Sequence, residues 1–213
     1  MGISTWLRTG MILAITSGAA NAATLGLSKV PPDLLSTFIQ VDYNAASGHL
    51  SATGFPDTLN VDGIPADEIT GLDGNWDLEA NFDAGGDLLG GTLSITVNGL
   101  APFPNGTNLA VADLQLFAFT NLGTGTFFEF ISQITSTGVS PLVPIGAKLG
   151  TVLTLGATND FVDFAHDFHN NSFDGAGGFA DTFLIPATSV PTPGAASGVL
   201  VGMAAMLIKR RRK

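Results

Sequence analysis

The chain has 213 residues, no cysteine, and 18 acidic against 8 basic side chains, for a formal net charge of −10. Without cysteine, disulfide staples, thiolate metal sites and thiol catalysis are excluded, and the acidic excess excludes a nucleic-acid partner by repelling its phosphates. All the acidic residues lie between Asp33 and Asp181, and from residue 23 to 189 the only bases are Lys29 and Lys148, so that stretch alone carries −16.

Arg8 is the only charged side chain among the first 28 residues, and an apolar run from Met11 to Ile15 follows it. Ser17, Gly18, Ala19, Ala20, Asn21 and Ala22 come next. This is the charged, apolar and small-residue order of a secretory signal peptide, with Ala20 and Ala22 forming the Ala-x-Ala site. Signal peptidase is expected to cut between Ala22 and Ala23, so residues 1–22 are a leader and the protein is exported.

Residues 23–189 then have the length of one domain. Such a length can bury an adequate core without staples. Pro31, Pro32 and Asp33 predict a helical turn or two over 31–38. Strands are predicted over 39–43, 50–54 and 58–61, with turn residues at Gly48, at Gly54 to Pro56 and at Asp62-Gly63. From 73 to 83 every odd position is polar, while Trp76, Leu78, Ala80 and Phe82 fall on the other face. A period of two over this length is a half-buried strand. Ala84, Gly85, Gly86 and Asp87 supply a turn, and Leu93, Ile95 and Val97 alternate with polar residues, which completes a β-hairpin.

The acidic positions of that first strand do not make a calcium loop. An EF-hand needs glycine sixth and glutamate twelfth, where this chain has Leu78 and Ala84. Carboxylates on alternate strand positions point to solvent about 7 Å apart and cannot wrap one ion. A cation held instead at the turn by Asp83, Asp87 and backbone carbonyls is the weaker reading.

Further strands are predicted over 114–120, 126–131, 151–155 and 181–185, punctuated by Pro102 to Gly106, Gly123 to Gly125 and Pro141 to Gly146. Asp163, His166, Asp167 and His169 could ligate a metal only if a helical turn gathered them. With Phe161, Phe164, Phe168 and Phe173 interleaved, a polar loop or strand margin is the simpler reading. No Gly-x-Ser-x-Gly elbow occurs, so a serine hydrolase is not expected. Calcium, with Asp83, Asp87, Asp163 and Asp167 as weak candidates, is the only cofactor left open. Short strands at even spacing predict an all-β fold, an antiparallel β-sandwich or partly open barrel.

The chain ends in Val190, Pro191, Thr192, Pro193 and Gly194, an uncharged apolar run to Ile208, and the bases Lys209, Arg210, Arg211, Arg212 and Lys213. The 15 residues from 194 to 208 reach about 22 Å as a helix, short of a hydrocarbon core of about 30 Å. The basic cluster resists crossing a bilayer. A C-terminal membrane helix that holds the chain only briefly fits this pattern.

That order of parts, 190–213, resembles the PEP-CTERM sorting signal of exported bacterial proteins, with Thr192 where the family has glutamate. The resemblance implies recognition by an exosortase, transient tethering to the inner membrane and removal of the tail at the cell envelope. The middle of the chain, through Asp42 to Leu50, Trp76 to Asp83, Leu89 to Ile95, 114–119 and 161–183, resembles the β-rich passenger domains of such proteins. This implies a non-enzymatic cell-surface or extracellular-matrix protein in a polysaccharide layer or biofilm. The rival reading is a carbohydrate-binding module, for which Tyr43 and Trp76 are the sequence's candidate sugar platforms.

Overall fold

A computed structural model describes residues 25–121, 125–139, 143–156 and 173–186. Their elements are β1 (Asp33–Asn44), β2 (His49–Asn60), a single 3₁₀ turn (Pro65–Asp67), β3 (Ile69–Thr70), β4 (Asp73–Phe82), β5 (Leu88–Asn98), β6 (Thr107–Asn121), β7 (Gly125–Ser136), β8 (Lys148–Gly156) and β9 (Phe173–Ile185). Every pairing is antiparallel, and the hydrogen-bonded order β1-β9-β8-β7-β6-β5-β4-β2 returns to β1 through the β1–β2 hairpin. The result is a closed eight-stranded up-and-down barrel. The two-residue β3 pairs with the end of β2 that β4 leaves free.

Closure is what separates this architecture from the sandwich or open barrel expected from strand spacing. The closing seam joins β1 to β9, from Asp33 opposite Phe183 to Tyr43 opposite Phe173. An unpaired edge strand presents a row of free amides and carbonyls, and full closure removes it.

The interior is filled with side chains. In the β4–β5 hairpin Trp76 faces Ile95 and Leu78 faces Leu93, all four essentially inaccessible. Asn75 and Asn81 on the alternate face of β4 are exposed, and Asp77 and Glu79 are half-buried. Near the β1–β2 turn the core is aromatic. Phe117 lies 4.7 Å from Phe82 and 5.1 Å from Phe130, and Phe119 lies 5.2 Å from Phe128. Such tilted and edge-on pairs add about 0.5–1.5 kcal/mol each beyond the area they bury.

Two local expectations fail. Residues 31–38 form no helix: from Asp33 the chain is strand, paired with β2 on one side and β9 on the other. Leu34 and Ser36 enter the core, and pairing on both sides outweighs a proline-initiated turn. Gly54 to Pro56 is likewise no turn but the middle of β2. A Cβ on Gly54 would lie 2.3 Å from Ile39 Cδ1, so glycine stands there to admit a core side chain from the neighbouring strand.

Candidate functional site

Among the described residues the barrel interior is occupied by packed side chains. Its described cavity, lined by Leu34, Leu59, Ile95, Leu149 and Thr182 among others, has about 20 Å³ of free space, room for a single water. Deeper in, Trp76 Nε1 donates to Thr182 Oγ1 at 3.3 Å, and Thr182 Oγ1 lies 3.3 Å from Thr151 Oγ1. Ser36 Oγ and Ser132 Oγ are buried with no hydrogen-bond partner. Buried hydroxyls without partners cost free energy, and a water is the ordinary remedy. Eight strands enclose a space that side chains can fill, and bulky residues fill this one.

The same packing corrects the sugar-platform assignment. Trp76 is 0% and Tyr43 1% exposed. Burial pushes the Tyr43 phenol up to about 12. Neither ring can meet a glycan, and removing either would damage the core.

The turn carboxylates are engaged with their own backbone. Asp83 Oδ1 accepts from the amides of Gly85 at 2.7 Å and Asp87 at 2.9 Å, while the Asp83 amide donates to the Asp87 carbonyl. This is turn chemistry of the kind aspartate favours. Among the described residues no group of three or more histidine or acidic side chains could hold a metal ion. Asp163 and Asp167, with His166 and His169, lie outside the described residues. So do Ala20, Ala22 and Ala23, and likewise 190–213. Within the described residues no helix is long and apolar enough to cross a membrane.

Two outer-wall features were not read from the sequence. The first is a strap. Glu129 of β7 accepts from the Leu25 amide, and Lys29 Nζ lies 2.7 Å from Asp33 Oδ2 and 3.0 Å from Asp181 Oδ1. Residues 25–29 therefore run across the wall from β7 to β9. Burial holds the Glu129 carboxyl above its usual value, outweighing the amides of Leu25 and Gly26 that favour its charge. Burial works against the charge of Lys29, but hydrogen bonds to Asp33 and Asp181 hold it above the ordinary lysine value. Ile131 and Phe183, which flank Gly150 on the outer face, are 0% and 2% exposed, and a Cβ on Gly150 would lie 2.8 Å from the Phe183 ring. Glycine lets the Phe183 ring lie against β8 at this point.

The second feature is a group of exposed phenylalanines. Phe38 on β1 is 76% exposed, Phe55 on β2 53% and Phe179 on β9 43%. Thr37 pairs with Phe55, while Ser36 and Ile39 pair with Ala180 and Gly178, so Phe38 sits in a β-bulge between Phe55 and Phe179. Its φ is 55°, the only positive value at a non-glycine residue among those described. A bulge re-aims one side chain, and this one turns an aromatic ring outward.

No local pattern in the sequence marks this group, because phenylalanine in a strand ordinarily reads as core. A switch in inward parity from Leu34 and Ser36 to Ile39 and Val41 was the available clue. No protein-family model, curated protein or solved structure matches the chain, so the residues themselves carry the functional argument.

Proposed function

We propose that this is an exported, non-enzymatic protein of the bacterial cell surface or extracellular matrix, sorted by an exosortase through residues 190–213. The observation that carries the reading is the order Pro191-Thr192-Pro193, apolar run, then Lys209 to Lys213 at one end and the Ala20-Asn-Ala22 site at the other. A filled, closed barrel with a polar outer wall on β4 agrees with a domain that works in water through its surface. A barrel facing lipid presents an apolar outer band instead.

Intact mass of the protein recovered from the cell surface tests the reading. The expected chain begins at Ala23 and ends near Pro191 to Pro193. In cells lacking the exosortase, the tail should persist in the membrane fraction. A surface form that still carries Arg210 to Lys213 overturns the proposal. A carbohydrate-binding module is the second reading, and the exposed phenylalanines favour it over a purely structural role.

A further inference from the structure

We propose that the outer wall formed by β9, β1 and β2 is a binding face for a neutral, flat polysaccharide, with Phe38, Phe55 and Phe179 as its platform. The inference rests on the extracellular-matrix reading and names the polymer class such a protein would grip.

Three observations converge. The rings lie on adjacent strands at one level, and the register extends that level through Thr154 to Phe127 on β7. Strands are about 4.8 Å apart, close to the length one hexose adds to a straight polymer, so the row can run along a chain. Phenylalanine faces carry partial negative charge, which suits the C–H faces of equatorially linked sugars. Exposed Gln40 and Thr53 beside the row supply hydrogen-bonding groups.

Phe38 adds the second observation. A bulky residue in the left-handed region is a rare, strained choice. Here it brings the ring out of the wall to 76% exposure. Folding alone gives no reason to keep such a residue in solvent, and strain held in this way points to use.

Charge and area select the occupant. The barrel belongs to a stretch of net −16, and Asp42 and Asp77 stand on the outer face of β1 and β4 near the row. Lys29 is already held by two carboxylates, and Lys148 lies at the far end of β8. Uronate or sulfated polymers and anionic bilayers are therefore repelled. A second copy brings the same negative charge. The three rings expose about 350 Å², whereas a stable dimer needs roughly 800 Å² from each partner. A neutral polymer suits a small apolar row, because its repeating sugars present the same uncharged face at every position along the chain.

Depletion of the full-length protein from solution by microcrystalline cellulose and by chitin, with immobilised polygalacturonate as the anionic control, tests this. The wild type should bind at least one neutral polymer, insensitively to salt, whereas any polygalacturonate binding through Lys209 to Lys213 should fade with salt and be equal in the triple variant. A triple variant, F38N, F55S and F179S, should lose at least tenfold in the bound fraction, with a melting temperature no lower than wild type and unchanged Trp fluorescence. Absence of wild-type binding to both neutral polymers overturns the inference, as does a triple variant that binds within twofold of wild type. A wild-type dimer that the triple variant converts to monomer overturns it in favour of self-association. The sorting reading is judged separately by terminal processing, which these substitutions leave alone.

Discussion

Phe38 concentrates the conflict between folding and use in one residue. Its φ of 55° costs a β-carbon-bearing residue on the order of 1–2 kcal/mol, and its exposed ring returns little burial. Asparagine tolerates the left-handed region far better. Phe38→Asn should therefore leave stability unchanged or raise it by up to about 1 kcal/mol, a few degrees for a domain of this size. Thermal melting checks this, and a fall of more than about 5 °C would mean that the ring packs against the wall after all. Tyr43 offers the opposite case. It is the only tyrosine in the chain, so an ultraviolet titration reports it alone. With its phenol pushed up to about 12 by burial, the native midpoint should lie near that value and return toward about 10 in denaturant. Its raised native value means that the neutral phenol's share of stability holds below the unfolded midpoint and is lost as pH climbs toward 12. A native midpoint near that of free tyrosine would place the ring in solvent.

Among the elements, the β4–β5 hairpin was the most legible in sequence because period two runs unbroken through Trp76, Leu78, Ala80 and Phe82 into a glycine turn. β1 was illegible for a stated physical reason. The bulge at Phe38 moves the inward set from even to odd positions, so no single alternation spans Asp33–Asn44. Gly54 misled in the same way, since glycine serves a close approach by Ile39 rather than a turn. Closure was beyond local reading altogether: β1 meets β9 across more than half the chain, and only the register decides it. The strap from Leu25 to Lys29 was equally hidden, because nothing in those residues names Glu129 as a partner. Its raised carboxyl makes a pH prediction. The protonated form is favoured in the folded protein, so its contribution is complete below the unfolded glutamate value and is lost as pH rises through the raised one. Glu129→Gln keeps an oxygen for the Leu25 amide but removes the half-buried charge. The variant's melting temperature relative to wild type should climb from pH 4 to 7, and a constant difference across that range would show that the charge is well solvated.

At the scale of the whole molecule, a closed barrel with a dense interior is set against a strongly negative surface. Self-repulsion of −16 charges destabilises the compact state, and the wall carries few bases to offset it. Lys29 is committed to Asp33 and Asp181, which leaves Lys148 alone against the remaining carboxylates among the described residues. Counterions must therefore supply part of the stability. With a Debye length falling from about 30 Å at 0.01 M to about 10 Å at 0.1 M, sodium chloride over that range should raise the melting temperature by a few degrees. Calcium separates screening from binding. At 1 mM it adds almost no ionic strength, and Asp83 already spends one carboxylate oxygen on its own turn. The melting curve should then be the same with 1 mM calcium as with a chelator, while calcium and sodium at equal, higher ionic strength should act alike apart from valence. A rise of several degrees at 1 mM would show a specific ion site, and losing that rise in Asp83→Asn would place the ion at the β4–β5 turn.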